Sequence, residues 1–160
     1  EEFDSIFPEL DEHIDPTKIE QLKLTKAFYD ETLRLSGPAP MNSCEIAQEI
    51  VVDGVTIPAK APLFAMMRVA HLADYPHPEF DPNRWLDPVE VAKLQEWATI
   101  PFGMGHRICP GRNLATVMAL LCLGAVCSKF QVTYPLDTIP SEITRFVQAA
   151  DRMPIHFTPL

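Results

Sequence analysis

The stretch FGMGHRICPG, residues 102–111, decides how the rest of this sequence is interpreted. Gly103 and Gly105 precede a single cysteine, Cys109, and allow a tight loop whose backbone can approach the sulfur and a bound ligand closely. Pro110 follows the cysteine and precedes a long apolar run, so it is predicted to occupy the first position of a helix. Because a helix N-terminus stabilises negative charge, this stretch predicts a stabilised thiolate at Cys109.

The stretch fits the pattern F-x-x-G-x-R-x-C-x-G at every specified position, and it resembles the cysteine loop of the cytochrome P-450 superfamily, the haem-thiolate monooxygenases. The resemblance implies that Cys109 is the axial ligand of the iron of haem b (iron protoporphyrin IX), where a thiolate favours O–O cleavage. It also implies that Arg107, a fork-shaped cation, binds a haem propionate. The alternative is an ordinary cysteine in a glycine-rich turn. The other residues expected to contact the cofactor are Phe102, which would screen the sulfur from water, and Gly103, Gly105, His106 and Gly111.

Two upstream motifs support the same resemblance. Glu31-Thr32-Leu33-Arg34 matches the E-x-x-R motif of the superfamily's K helix, and residues at i and i+3 share one face of a helix. Pro82-Asn83-Arg84-Trp85 resembles the P-x-R-W element. The resemblance implies that Glu31, Arg34 and Arg84 form a buried structural triad behind the cysteine loop, in which losing one partner is costly. The alternatives are a solvated Glu31–Arg34 pair and an exposed Arg84 on a proline-rich loop.

Hydrophobic periodicity and turn residues predict helices joined to small strands. The Asp53-Gly54 pair between two β-branched runs is the strongest hairpin signal. The predicted fold class is mainly α with small β-sheets (α+β), which agrees with the C-terminal part of the cytochrome P-450 fold, with its K helix, β-hairpins, cysteine loop and L helix. Helices are expected at residues 19–35, 88–97 and 112–130, a hairpin at residues 49–58, and strands at residues 63–69, 131–134 and 155–158.

The longest uncharged segment, residues 113–128, is shorter than a transmembrane helix, which needs about 20 apolar residues. We predict a buried core helix instead, in which Cys122 and Cys127 are small core side chains. Met66 and Met67 are likewise predicted to be core residues of a strand.

Composition argues against several classes of protein. Hydrophobic residues make up 47% of the chain, which argues against disorder. The net charge of −9 disfavours nucleic acid or an anionic membrane as a partner of the whole surface. The cysteines include no C-x-x-C pair and the histidines show no metal-ligand spacing, so the sequence predicts neither a disulfide scaffold nor a zinc site.

The resemblance also implies an activity, which is insertion of one atom of O₂ into a lipophilic small-molecule substrate. Electrons would come from NADPH through a reductase partner. Residues 1–160 would form the C-terminal haem-binding portion of a longer domain, with the N-terminal half, the oxygen-activating helix and a membrane anchor outside this segment. No catalytic residue is therefore expected within it, and the expected location is the cytosolic face of the endoplasmic reticulum membrane. The turn after the K helix passes over the haem in this superfamily, which makes Ala39, Met41 and Asn42 candidates for either substrate contact or buried packing.

Three positions add detail to the resemblance. By spacing, Cys44 occupies the place where many members carry an arginine that binds a propionate. Arg107 stands where soluble bacterial members often have histidine, and arginine there is usual in eukaryotic microsomal members. His71 lies near Asp74 in an H-x-x-D stretch, for which a structural hydrogen bond is expected.

Two other functions are compatible with the same residues. One is a non-catalytic remnant or interaction module, because kinship in fold does not guarantee activity. The other is a haem-thiolate enzyme that rearranges peroxides without a reductase. Such relatives often carry an insertion in the cysteine loop, and none lies between Phe102 and Cys109. The sequence does not identify the substrate.

Overall fold

The computed structural model describes residues 1–9, 14–73, 79–96, 100–135, 141–144, 147–151 and 153–160. Helices carry most of the regular structure in these ranges. The α-helices are α1 (Glu2–Ile6), α2 (Pro16–Ile19), α3 (Lys23–Ser36), α4 (Met67–Ala73), α5 (Pro88–Glu96) and α6 (Arg112–Lys129), and 3₁₀ helices lie at Pro82–Trp85 and Gly105–Arg107.

The strands of the described chain form antiparallel pairs, each in a sheet of two strands. Two pairs are hairpins between consecutive strands, and the other two join strands that are distant in sequence. The pairs are β1 (Asn42–Glu45) with β4 (Pro62–Ala65), β2 (Ile50–Val52) with β3 (Val55–Ile57), β5 (Phe130–Thr133) with β8 (His156–Pro159), and β6 (Ser141–Thr144) with β7 (Gln148–Asp151). The predicted fold class, mainly α with small β-sheets, is confirmed.

The hairpin predicted around Asp53-Gly54 is β2–β3, with Val52 opposite Val55. Asp53 and Gly54 both have positive φ, at 50° and 80°. A two-residue loop of this kind matches the twist of the flanking strands, and few residue types other than Asn, Asp and Gly tolerate it. The local sequence therefore decides this element without help from the rest of the chain.

The helix predicted from residue 19 begins instead at Lys23, and a separate helix, α2, precedes it. Each of the two helices has its own N-terminal cap. Asp15 caps the separate helix α2, since its carboxylate accepts the N–H of Thr17 at 2.9 Å. Leu22, the N-cap residue of α3, offers no side-chain cap. The carboxylate of Glu2 supplies one from a distance, since it accepts the N–H groups of Leu24 at 2.7 Å and Thr25 at 2.9 Å.

The strand predicted at residues 63–69 is only half correct. Strand β4 ends at Ala65, and helix α4 begins at Met67. The backbone N–H of Arg68 donates to the carbonyl of Pro40 at 3.1 Å, so a contact with the turn after α3 fixes the helical segment. Met67 is buried, but on this helix rather than on a strand, and Met66 is exposed, so the prediction of a strand core there was wrong.

Helix α6 has the predicted span, but its predicted burial is wrong. Only Leu120 and Gly124 of this helix are buried against the rest of the described chain, and Cys122 and Cys127 are exposed. Among the described elements, α1, α2, α3 and β5 make the main contacts with α6. By length and composition alone α6 could cross a membrane, but this is weak evidence because core helices pass the same test.

The described core is a cluster in which α1 lies against α6. Phe3 of α1 and Phe7, the C-cap residue of this helix, pack with Leu22 and Leu120. The ring centroids of Phe3 and Phe7 are 5.1 Å apart. Phe3 occupies the space beside Gly124, where an added Cβ would lie only 2.7 Å from Phe3 Cγ. Close packing of this kind requires glycine at position 124. It fixes α6, whose N-terminal end follows the cysteine loop.

Candidate functional site

Glu31, Arg34 and Arg84 meet in the interior, with exposed fractions of 0%, 1% and 8%. Glu31 and Arg34 lie one turn apart on α3, and Arg84 comes from the 3₁₀ helix Pro82–Trp85. Arg34 donates from Nε to Glu31 Oε2 at 2.9 Å and from Nη2 to Oε1 at 2.8 Å, a two-pronged pairing. Arg84 Nε donates to the same Oε1 at 3.1 Å.

Backbone carbonyls accept further hydrogen bonds from the two arginines. Arg34 donates to the carbonyl of His71 at 3.5 Å and to that of Glu79 at 3.2 Å. Arg84 donates to the carbonyls of Asp81 and Glu79, both at 3.0 Å. Buried charge is tolerated only when it is paired and hydrogen-bonded in this way. The triad therefore ties α3 to α4 and to the segment before the 3₁₀ helix.

The Glu31 carboxyl is held in its ionised form. Burial alone would raise its pKa, but the hydrogen bonds from Arg34, from the N–H of Asp81 and from Trp85, together with the charge of Arg34, outweigh burial. The net result is a pKa below the usual value for glutamate. The negative charge that holds the two arginines is therefore present throughout the neutral range.

Trp85 belongs to this cluster, although sequence analysis gave it no role. Its indole Nε1 donates to Glu31 Oε2 at 2.9 Å. An indole has one donor and no acceptor, so it can only add to the stabilisation of the carboxylate. The signal was available, because the tryptophan follows Arg84 directly in the Pro82–Trp85 motif.

The cysteine loop is closed at its base by a backbone hydrogen bond from the N–H of Cys109 to the carbonyl of Phe102, at 2.9 Å. Gly103 and Gly105 have φ values of 73° and 65°, a region that side chains with a Cβ rarely adopt. The loop thus needs glycine at both positions, as its sequence predicts. Phe102 and Gly103 are half-buried, and Cys109 is exposed.

Cys109 lies close to the start of α6 but not where the sequence predicted. Helix α6 begins at Arg112, with Gly111 as its N-cap, so Pro110 is not its first residue. The N–H of Arg112 donates to the carbonyl of Cys109 at 3.2 Å, and this turn contains Pro110 and Gly111 before the helix starts. A Cβ on Gly111 would lie 3.8 Å from Cys109 Sγ, so the sulfur still lies beside the helix N-terminus.

The residues of the loop fit a haem group ligated through sulfur. Cys109 Sγ is on an exposed loop, and a Cβ added at Gly105 would meet no other described heavy atom within 4 Å. A flat ligand can therefore approach the loop without meeting a side chain at that position. His106 and Arg107 lie in the 3₁₀ helix Gly105–Arg107, and both are exposed and available to anionic groups. Among the described residues, no cluster of His, Cys, Asp or Glu offers a rival metal site.

The turn after α3 lies beside the cysteine loop. Ala39, Met41 and Asn42 are all exposed. The side-chain amide nitrogen of Asn42 is 3.6 Å from the place where a Cβ on Gly103 would stand, so Asn42 packs against the loop itself. Cys44 is exposed on β1, opposite Leu63.

A second contact fixes the surroundings of this turn. Arg68, whose backbone binds the turn at Pro40, also makes a two-pronged salt bridge with Glu142 of β6, with both N–O distances at 2.8 Å. This pairing raises the pKa of the Arg68 guanidinium, so its charge is permanent. The hairpin β6–β7 is therefore connected to the segment that leads to Asn42.

His71 is a further residue whose contact only the structure reveals. Its Nε2 accepts the backbone N–H of Ile100 at 3.0 Å, and the imidazole is buried. The structural hydrogen bond expected for the H-x-x-D stretch is thus present at His71, with a partner just before the cysteine loop. Asp74, the other member of that stretch, lies outside the described residues.

Comparison with known proteins identifies the family of this chain. The family model described as "Cytochrome P450" matches residues 1–157. The chain belongs to the cytochrome P450 family. The match includes the segment before residue 22. The family is that of the haem-thiolate monooxygenases, which bind haem and receive electrons from a redox partner.

Individual relatives come from plants and animals, which fits the eukaryotic type predicted from Arg107. The chain is 32% identical to tabersonine 6,7-epoxidase isoform 1 of Catharanthus roseus over 134 residues, which is 82% of this chain and 26% of the relative. It is 31% identical to mitochondrial 25-hydroxyvitamin D-1 alpha hydroxylase of Rattus norvegicus over 148 residues, 88% of this chain and 28% of the relative. The chain thus spans about a quarter of the length of these relatives.

Solved structures agree on the fold. The haem domain of cytochrome P450DA superposes with a TM-score of 0.87 at 23% identity, covering 99% of this chain and 36% of that one. The cytochrome P450 CYP102L1 gives a TM-score of 0.89 at 22% identity, with 99% and 37% covered. The helices, small sheets and loops of this chain are therefore arranged as in part of a cytochrome P450 fold.

Proposed function

We propose that this chain is the haem-binding portion of a haem-thiolate monooxygenase and that Cys109 is the axial ligand of the haem iron. The observation that carries the proposal is the placement of Cys109 Sγ. It lies on an exposed loop held by two glycines of positive φ, beside the N-terminus of α6. A helix N-terminus favours a negatively charged sulfur, and an exposed sulfur on an open loop can reach a ligand.

Each residue of the loop has a separate proposed role. Gly103, Gly105 and Gly111 allow the backbone to approach the flat ring, because none presents a Cβ. Phe102 anchors the base of the loop through its carbonyl, and its half-buried ring would screen the ligated sulfur from water. The exposed cations nearby would bind the haem propionates, a role proposed for Arg107 and His106.

The bound cofactor, haem b, would supply oxygen activation and insertion of one oxygen atom into a lipophilic substrate. Residues 1–160 would form the C-terminal part of the haem domain, and Ala39 and Met41 would face the substrate. Asn42 would instead position the cysteine loop, because its amide packs against Gly103. Electrons would come from NADPH through a reductase, at the cytosolic face of the endoplasmic reticulum membrane.

The test is the Cys109→Ala substitution in the full-length protein. We expect the thiolate-type spectrum of the carbon monoxide complex to be lost, because alanine has no sulfur to ligate iron. Cys44→Ala is the matched control, since Cys44 is also an exposed free cysteine but lies on β1. An unchanged spectrum in Cys109→Ala, or an equal loss in Cys44→Ala, contradicts the assignment.

A further inference from the structure

His71 lies between the buried triad and the base of the cysteine loop. The residue is on α4 and only 4% exposed. On one side its backbone carbonyl accepts a hydrogen bond from Nη1 of Arg34 at 3.5 Å. On the other side its imidazole Nε2 accepts the backbone N–H of Ile100 at 3.0 Å. A single buried residue thus contacts both the triad and the chain that enters the loop.

Two backbone hydrogen bonds of the cysteine loop connect the position of Ile100 with that of Cys109. The carbonyl of Ile100 accepts the N–H of Gly103 at 2.9 Å, which forms the turn at the start of the loop. The carbonyl of Phe102 accepts the N–H of Cys109 at 2.9 Å, which closes the loop. A fixed position of Ile100 therefore fixes the turn at the start of the loop, and this turn sets the position of Cys109.

The chemistry of this contact requires an acceptor in the interior. Because Nε2 accepts the N–H of Ile100, that nitrogen carries no proton, and the imidazole is neutral in this arrangement. A buried N–H without a partner is costly, so replacing His71 by an apolar residue would favour movement of Ile100 toward water. Glutamine reaches a similar distance with an amide oxygen, whereas the shorter asparagine does not.

We propose that His71 is a positioning residue for Cys109. It anchors the base of the cysteine loop at Ile100 to the Glu31–Arg34–Arg84 triad, and the loop then presents the sulfur to the haem in one position. This inference rests on the proposed function, because it assigns His71 a role in the geometry of the iron–sulfur bond. Without His71, haem would still bind, but a larger fraction would lose the thiolate bond.

The test compares His71→Gln and His71→Leu with His156→Leu in the full-length, haem-loaded protein. His156 is an exposed histidine on β8 and serves as the matched control. Two quantities are measured, the fraction of the carbon monoxide complex with the thiolate-type spectrum and the hydrogen-exchange rate of the Ile100 amide. For His71→Leu we expect exchange about tenfold faster and the thiolate fraction at least roughly halved, from the loss of one buried hydrogen bond. His71→Gln should recover most of both values, and His156→Leu should change neither.

A purely structural role gives a different pattern. His71→Leu would then lower the yield of folded protein, but the folded fraction would keep the wild-type thiolate spectrum, and glutamine would rescue no better than leucine. That result overturns the proposal. If His71→Leu does not fold, His71→Asn takes its place, and equal thiolate fractions in the asparagine and glutamine variants also overturn it.

Failure of the proposed function is recognised separately. If Cys109 is not the ligand, either the wild-type protein has no thiolate-type spectrum or the Cys109→Ala variant retains it. If only the role of His71 is wrong, the wild type has the spectrum and His71→Leu retains it with unchanged exchange at Ile100.

Discussion

The Glu31–Arg34–Arg84 triad and the cysteine loop differ in how much of their surroundings this chain provides. The triad is buried, and its charges are paired with one another or with carbonyls of the same chain. The loop is held by its backbone, whereas Cys109 and Arg107 are exposed. The triad is thus held by groups of the described chain, whereas Cys109 and Arg107 of the loop are exposed to solvent.

The difference indicates that the two motifs have different roles. The triad contributes stability. Removing any one of its three residues would leave a buried charge of the others unpaired. Under the proposed function, the loop would contribute little to stability and much to ligand binding, because Cys109 and Arg107 are exposed. The predictions below test this difference, beginning with the triad.

The largest expected effect belongs to Glu31→Gln. Neutralising the carboxylate leaves Arg34 and Arg84 buried without their counter-charge, which we expect to lower the free energy of unfolding by about 3–5 kcal/mol. Denaturant titration measures the change. Glu90→Gln is the matched control, since Glu90 pairs with Lys93 at the same i, i+3 spacing on α5, where the two side chains are 29% and 53% exposed. We expect less than about 1 kcal/mol there. Equal effects in the two variants would remove the distinction between buried and exposed pairs.

The same carboxyl predicts a dependence of stability on pH. Its pKa is lower in the folded protein than in the unfolded chain, so the unfolded state binds its proton first as the pH falls. The stabilisation is therefore complete above the unfolded pKa of about 4.3 and is lost as the pH falls through the lower folded value. Unfolding titrations between neutral and acidic pH should show a smaller acid-induced loss in Glu31→Gln than in wild type. The same dependence of the unfolding free energy on pH in both proteins would contradict the prediction.

Trp85→Phe sharpens the comparison by removing one donor and keeping the aromatic ring. A hydrogen bond to a charged group contributes about 1.5–3 kcal/mol, and we expect a loss in that range. In the Glu31→Gln background, Trp85→Phe should lower the free energy of unfolding by clearly less, because the side chain at position 31 no longer carries a charge. The four unfolding free energies of this double-mutant cycle measure the coupling, and a coupling near zero would exclude Trp85 from the cluster.

Gly124→Ala tests the packing that fixes α6 behind the loop. The new Cβ would overlap the ring of Phe3, and we expect a net loss of about 1–2 kcal/mol from overpacking. In the Phe3→Ala background, Gly124→Ala should instead raise the free energy of unfolding, since alanine is favoured over glycine in a helix by about 1 kcal/mol. Loss of stability in both backgrounds would mean that Phe3 is not the obstacle.

The smallest effect on stability is expected at Arg107→Ala. The side chain is exposed, so the free energy of unfolding of the haem-free protein should change by less than about 0.5 kcal/mol. Retention of haem should fall, because a propionate partner is removed. Arg112→Ala is the control, an exposed arginine at the start of α6 with no assigned cofactor contact. A large loss of stability in Arg107→Ala would contradict the division between triad and loop.

Local features of the sequence were predicted well where short-range physics decides them. The β2–β3 hairpin follows from Asp53-Gly54, and the end of α3 follows from the glycine-proline pair at residues 37–38. The positive φ values of Gly103 and Gly105 follow from the loop sequence. Each depends on neighbouring residues, so no knowledge of distant contacts was needed.

Predictions failed where distant residues decide the outcome. The start of α3 depends on Glu2, which caps it from α1, and the start of α4 depends on the contact between Arg68 and Pro40. The sequence pattern of α6 resembles that of a core helix, but burial depends on the surface that packs against it. None of these contacts leaves a local signal in the sequence.

The sequence by itself determined the family, the identity of the candidate iron ligand and the three charged residues of the triad. Those inferences depend on residue types at short, fixed spacings. The tertiary structure alone decided that Trp85 completes the triad, that His71 connects it to Ile100 and that Asn42 lies against the cysteine loop. The physical reason is that such contacts join residues that are distant along the chain, and only the packed chain brings their donors and acceptors within hydrogen-bonding or van der Waals distance.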